Sequence, residues 1–177
     1  MSATCNLTAA IALDCLDSIG GVKTLWVSSN FDPGTIVAGA TAGITSLVGA
    51  TGTFFEIAVA KDVASITETF NISNTNGTAF WQQEVTIPVQ HLSSAKRQQI
   101  QLLAYNRASR VVVEDNNGIY WLVGATRGCV IASGTTTTGT AVGDASQYSF
   151  VLSAQEPEMM YQVNGLAALS GTTFVNA

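Results

Sequence analysis

The sequence predicts an α+β, mainly β domain in which antiparallel strands carry one flanking α-helix. Three observations lead there. Apolar residues recur at period two through much of the chain, Asn- and Gly-rich turns at 74–77 and 116–118 separate such runs, and a helical period is sustained in one segment only, near 92–107. With 177 residues, 47% of them hydrophobic, a single domain spanning 1–177 is expected. A chain of that length can bury a stable core without disulfides or a metal.

The first strand is expected over Ile19–Ser29, started by the turn at Gly20 and Gly21. Alternation puts Lys23, Leu25 and Val27 on one side and Trp26 on the other. From Asn30 to Thr53 the chain is rich in Gly, Ala and Thr and has no helical period, so it reads as loop with one short strand at Thr35–Val37. A strand at Phe54–Ala60 follows.

The most informative unit is a long hairpin, Ser65–Ser73 and Thr78–Val89, closed by Asn74, Thr75, Asn76 and Gly77. With Asn74 opposite Gly77, residues Ile66, Phe70 and Ile72 fall opposite Val85, Trp81 and Ala79, which makes Ile66, Phe70, Ile72, Trp81 and Val85 the packing face. The other face collects Ser65, Thr67, Thr69, Asn71 and Ser73 opposite Thr86, Glu84, Gln82, Phe80 and Thr78. A slip of one residue would destroy this agreement between the two arms, so the pattern fixes the register. Glu68 on the apolar face and Phe80 on the polar one are the two exceptions.

Leu92–Arg107 is the predicted helix, capped by Ser93 or Ser94. Lys96, Ile100, Leu103 and Arg107 stand at helical spacing beside Leu102 and Ala104, so the helix should lie on a sheet with Gln98, Gln99 and Gln101 outward. Lys96, Arg97, Arg107 and Arg110 gather here and read as a solvated basic face. A second hairpin, Ser109–Glu114 and Ile119–Gly124, turns at Asn116, Asn117 and Gly118. Its contiguous Val111, Val112 and Val113 mark a strand buried on both faces. Beyond it, Gly128–Ser133 is a short strand and the Thr- and Gly-rich stretch Gly134–Gly143 a surface loop, either mobile or ordered only by a partner. Tyr148–Ala154 and Met159–Val163 are strands bent apart at Pro157. Flexible ends are expected over about 1–18 and 165–177.

Composition excludes several classes of function. Charged residues are 11% of the chain, against the ~25% usual in soluble domains. The surface must therefore be clothed in Thr, Ser, Asn, Gln and Gly. High apolar content excludes intrinsic disorder, and a net charge of −5 argues against nucleic-acid binding, which needs a cationic footprint. Met1–Ala12 lacks a basic leader region and reads as neither signal peptide nor membrane span. Cys5, Cys15 and Cys129 form no C-x-x-C pair and read as reduced thiols, with Cys129 a small buried hydrophobe.

No motif for catalysis or for a cofactor emerges. His91 is the lone histidine, which speaks against zinc, and G-x-S-x-G is missing. Glu156 with Glu158, and Glu114 with Asp115, are neighbours in sequence at turns, where carboxylates are ordinarily solvated. Asp14, Asp17 and Asp32 do not make a calcium loop, and no phosphate-binding glycine loop is present. The N-x-[ST] triplets at Asn6, Asn71 and Asn76 are chance in a chain rich in Asn and Thr. The expectation is a protein without enzymatic activity, metal or cofactor.

The order of several of these features resembles the tail tube, or major tail, proteins of tailed bacteriophages. The resemblance runs from Cys15–Ser18 into Ile19-Gly20-Gly21-Val22-Lys23, through the hairpin around Asn74–Gly77 and the helix. It continues with Val111-Val112-Val113-Glu114-Asp115-Asn116-Asn117-Gly118-Ile119-Tyr120 and Leu122–Gly124, and ends with Gly143-Asp144 ahead of Tyr148–Glu156. It covers roughly Cys15 to Val163, and Ala38–Gly52 matches no part of the pattern. What it implies is an antiparallel β-sandwich or small barrel with a flanking helix, assembled as stacked hexameric rings around a DNA channel. Ser65, Thr67, Thr69, Asn71, Ser73, Thr78, Gln82, Glu84 and Thr86 would then face the lumen, where acid repels phosphate and keeps DNA sliding. The implied partners are copies of the same chain and other tail proteins, with DNA passing through unbound and no membrane. The implied location is the virion tail, assembled in the host cytoplasm.

Two alternatives use the same sheet differently. One is another virion component, such as a tail terminator, a connector or a capsid decoration protein. The other is a β-rich carbohydrate-binding or hydrolytic protein stacking sugars on Trp26, Trp81, Trp121 or Tyr148.

Overall fold

The period-two segments become strands, and the strands divide into two sheets. The computed structural model describes residues 11, 16–38, 43–48 and 50–177. Cys5, Cys15, Asn6, Asp14 and most of the expected N-terminal arm lie outside them. In chain order the elements are β1 (Val22–Ser28), β2 (Thr35–Ala38), β3 (Gly43–Val48), β4 (Gly52–Glu56), β5 (Ser65–Ser73) and β6 (Thr78–Gln90). Next come α1 (Ser94–Tyr105), β7 (Arg110–Asp115), β8 (Tyr120–Val123), β9 (Val130–Thr137), β10 (Gln147–Glu156) and β11 (Tyr161–Val163). A 3-10 turn at Leu166–Ala168 leads to β12 (Thr172–Val175). The fold is mainly β, a sandwich-like pair of sheets with one helix.

An eight-stranded sheet runs β12-β4-β1-β7-β8-β11-β3-β2, and a four-stranded one β5-β6-β10-β9. The smaller sheet is antiparallel throughout. The larger is mixed, because β11 joins β3 and β12 joins β4 in parallel. The other pairings are antiparallel, in keeping with the expected mainly β sandwich, and these two parallel ones add to it. Both involve strands far apart in sequence, which local pattern does not reveal.

One core lies between the sheets. Leu25, Val27, Val111, Val113 and Val123 meet Val85, Ile87, Phe150 and Leu152, with Ile100 and Leu103 of α1 at the margin. A second core covers the opposite face of the larger sheet. There Trp26, Phe54, Val112, Leu122 and Leu169 pack with Tyr120 and Phe174. Phe54 and Phe174 stack at 5.1 Å, and Trp26 meets Phe174 edge-on at 5.9 Å. Val111, Val112 and Val113 are fully buried, as a strand covered on both sides requires.

Several expectations need correction. Pairing between β1 and β7 slips between Val22 and Thr24, so Lys23 leaves the face of Leu25 and Val27. It pairs instead with Glu114 at 2.6 Å. This bond and the carboxylate's charge hold the Lys23 ammonium above its usual pKa. Within the expected loop 30–53, β3 forms a second strand on β2. The stretch expected as a surface loop at 134–143 is instead partly strand, since β9 runs to Thr137 against β10. Asp144 closes the turn beyond β9 by accepting from the N–H groups of Thr140 and Ala141 at 2.7 Å, which lowers its pKa. The expected flexible tail is the 3-10 turn and β12, with Leu169 buried.

The helix is held at both ends. Ser93 Oγ accepts from the Lys96 N–H, and Asn106 Nδ2 donates to the Ser29 carbonyl at 2.7 Å. The neighbouring turn 124–128 needs its glycines. A Cβ on Gly124, at φ +70°, would sit 2.6 Å from Cys129 Sγ, and one on Gly128, at φ +82°, 2.8 Å from Ala108 Cα. Cys129 itself is buried, and desolvation pushes its thiol up to about 12.

Candidate functional site

The β5–β6 hairpin adopts the register read from its alternation, from Ser65↔Thr86 through Thr67↔Glu84, Thr69↔Gln82 and Asn71↔Phe80 to Ser73↔Thr78. Ser65, Thr67, Thr69, Asn71, Ser73, Thr78, Gln82, Glu84 and Thr86 therefore share the face turned away from the core. Sequence reasoning stopped at the hairpin, but the same face continues across the sheet. Thr86, Glu84 and Gln82 lie beside Val151, Ser153 and Gln155 of β10, and Val151 and Ser149 beside Ser133 and Thr135 of β9. The signal was present: Tyr148, Phe150, Leu152 and Ala154 alternate with Ser149, Val151, Ser153 and Gln155.

Across these four strands the outward face carries one ionisable group, Glu84, whose Oε1 accepts from Gln82 Nε2 at 2.7 Å. Phe80 breaks the polar pattern and is half-buried. The rest of the face is hydroxyl and amide, apart from Val151, Val130 and Pro88.

The packing face holds only in part. Val85 is fully buried and Ile66 packs on the core, but Phe70 is 56% and Ile72 70% exposed. β10 ends at Glu156, opposite Trp81, while β5 and β6 run on to the turn at 74–77. The hairpin thus overhangs the layer that would cover Phe70 and Ile72. Phe70 and Trp81 meet edge to face, with ring centres 6.3 Å apart.

Glu68, the exception on the apolar face, belongs to a polar stitch between the sheets. Gln83, 1% exposed, donates through Nε2 to Glu68 Oε1 at 3.1 Å, and its Oε1 accepts from the Gly124 N–H at 3.0 Å. Glu68 Oε1 also accepts from the Met160 N–H at 2.8 Å. Buried polar groups satisfied in this way fix the angle of the hairpin against the larger sheet.

The other titratable groups are tied to structure. Glu156 is buried and accepts from the N–H groups of Thr126, Arg127 and Gly128. Glu158 accepts from the Tyr161 hydroxyl, which this bond pushes up to about 12. The two carboxylates are each held by their own structural donors. Arg110 is buried and donates to the carbonyls of Ala108 and Thr126, which corrects its placement on a solvated basic face. His91 is exposed at φ +65°. Among the described residues no group of three His, Cys, Asp or Glu could hold a metal ion, and no helix is long and apolar enough to cross a membrane. Of the aromatics proposed to stack sugars, Trp26 lies in the second core and Tyr148 packs on the first, on opposite sides of the larger sheet.

The sheet ends in two open edges. β5 and β9, nine and eight residues long, stand at its two sides with no further strand among the described residues. Neither contains Lys, Arg or Pro. Comparison with family models, curated proteins and solved structures finds no match for this chain.

Proposed function

We propose that this chain is a virion structural protein that joins its four-stranded sheets edge to edge into rings, and that the rings stack as the tail tube of a tailed phage, a conduit for DNA. The observation that carries this reading is the pair of open edges, with no Lys, Arg or Pro within either strand, flanking a neutral polar face. An open edge offers a row of unpaired N–H and C=O groups, and proteins that stay monomeric usually guard it with charge, proline or cover. Here the one charge on β5, Glu68, is engaged on the core side, and β9 runs regularly from Ser133 onward.

Strand directions suit closure. Four strands alternate in direction, so β5 and β9 run opposite ways. A rotation about an axis along the strands brings the next copy's β5 beside β9 with antiparallel polarity, and every seam of a closed ring repeats it. The polar face then lines the channel. Hydroxyls and amides offer DNA no cationic site to hold it. The partners are copies of the chain and other tail proteins, and the role is structural and not enzymatic.

Negative-stain microscopy and sedimentation velocity of the purified chain test this. Rings or tubes that grow with concentration are expected; a monomer at every concentration, also with tail components added, would sink the reading.

A further inference from the structure

Beside β9 the pairing with β10 slips between Val151 and Leu152, and the irregularity opens a notch lined by Arg107, Arg127, Val130, Ala132, Ser153 and Gln155. Arg107 and Arg127 are exposed, and neither guanidinium lies within ion-pair distance of a carboxylate among the described residues. The nearby Glu156 is occupied by three backbone N–H groups. Two cations therefore stand unpaired at one open edge of a sheet whose outward face carries a single carboxylate near the other edge.

The register relates the two. One row across the sheet reads Thr67, Glu84, Ser153, Val130, all on the outward face. If β9 of one copy meets β5 of the next along this row, Val130 stands level with the neighbour's Thr67. The neighbour's Glu84 lies one strand further, two strand spacings or about 10 Å from β9. That gap is within the combined reach of an arginine lying across the sheet and a glutamate. We infer that the Arg107–Arg127 notch receives Glu84 of an adjacent copy, so that each seam between copies is an ion-paired lock that sets its register. This rests on the self-assembly reading and names the charge pairing that reading leaves open. A one-residue slip would turn Glu84 and its row to the wrong face, so the lock favours one register over its neighbours.

The test is charge reversal with rescue, read by sedimentation velocity on the whole chain, with circular dichroism and a thermal melt to confirm folding. Glu84→Arg alone, and Arg107→Glu with Arg127→Glu, should each lower the assembled fraction by about tenfold or more, through like charges juxtaposed at every seam. Combining all three reverses both sides and should restore assembly. Glu84→Gln should weaken assembly less and flatten its dependence on salt. Wild-type assembly unmoved by either reversal, or a combined variant no better than the single ones, would overturn the lock and leave edge-to-edge assembly standing. A wild-type chain that stays monomeric would overturn both.

Discussion

The two sheets solve the problem of burial in different ways. The larger is covered on both faces at its centre, and β7 shows it in three consecutive valines without exposure. The smaller is covered on one face, and β6 and β10 show that in alternation between core and polar residues. A strand between two cores has no side free to carry function, whereas a half-covered sheet with open edges has a face and two rims to offer. What the chain does is accordingly sought on the four-stranded sheet, and the eight-stranded one is its support.

Substitutions can break or sharpen this contrast. The largest effect is expected from Val112→Asp, which puts a carboxylate into the second core without a partner. Destabilisation of about 5 kcal/mol or more should leave the chain unfolded or insoluble. A soluble variant with an unchanged melt would mean that β7 is not covered on both sides.

Next is the stitch between the sheets. Gln83→Ala strips the Gly124 N–H of its acceptor and Glu68 of one donor, and should cost about 2–3 kcal/mol in urea unfolding. A loss under about 0.5 kcal/mol would show that apolar packing alone sets the hairpin's angle.

A smaller effect comes from the buried thiol of Cys129, which packs against Gly124. Burial raises Cys129 from 9.0 to about 12, so its contribution is complete below pH 9 and is lost as pH rises through 12. The unfolded chain releases that proton first and gains about 1.4 kcal/mol at pH 10 relative to pH 8. Urea midpoints should fall over that interval, and fall less in Cys129→Ala, where only the raised Tyr161 and Lys23 remain. An equal fall in both would assign the effect to other groups.

The smallest effect is predicted on the polar face, where Thr69→Asp should move stability by less than about 0.5 kcal/mol. A loss comparable to that of Gln83→Ala would mean that this face is covered within the single chain.

The long hairpin was legible because two independent arms agree on one register and Asn74–Gly77 supplies its turn. The helix was legible from Ser93 and the spacing of Ile100 and Leu103. Less legible were β3, β12 and the second half of β9. β3 lies in a stretch rich in Gly, Ala and Thr, β12 in a short tail, and Gly134–Thr137 has no apolar period. Their strand character comes from backbone pairing with β2 and β11, β4 and β10, of which β11 and β4 are remote in sequence from the strands they join. The bulge at Lys23 was hidden for a related reason: a single extra residue leaves composition unchanged while it turns one side chain over.

For the candidate site the division is sharper. The sequence by itself determined which hairpin residues share a face and which of the two faces is wet, because side-chain direction in a strand has period two whatever lies around it. Only the tertiary structure decided that Phe70 and Ile72 stay uncovered, that the polar face spans four strands, and that β5 and β9 end the sheet. Those facts depend on where β10 stops and on which distant strands find each other. Such contacts are set by the packing of the whole chain and leave no periodic mark on the segments that make them.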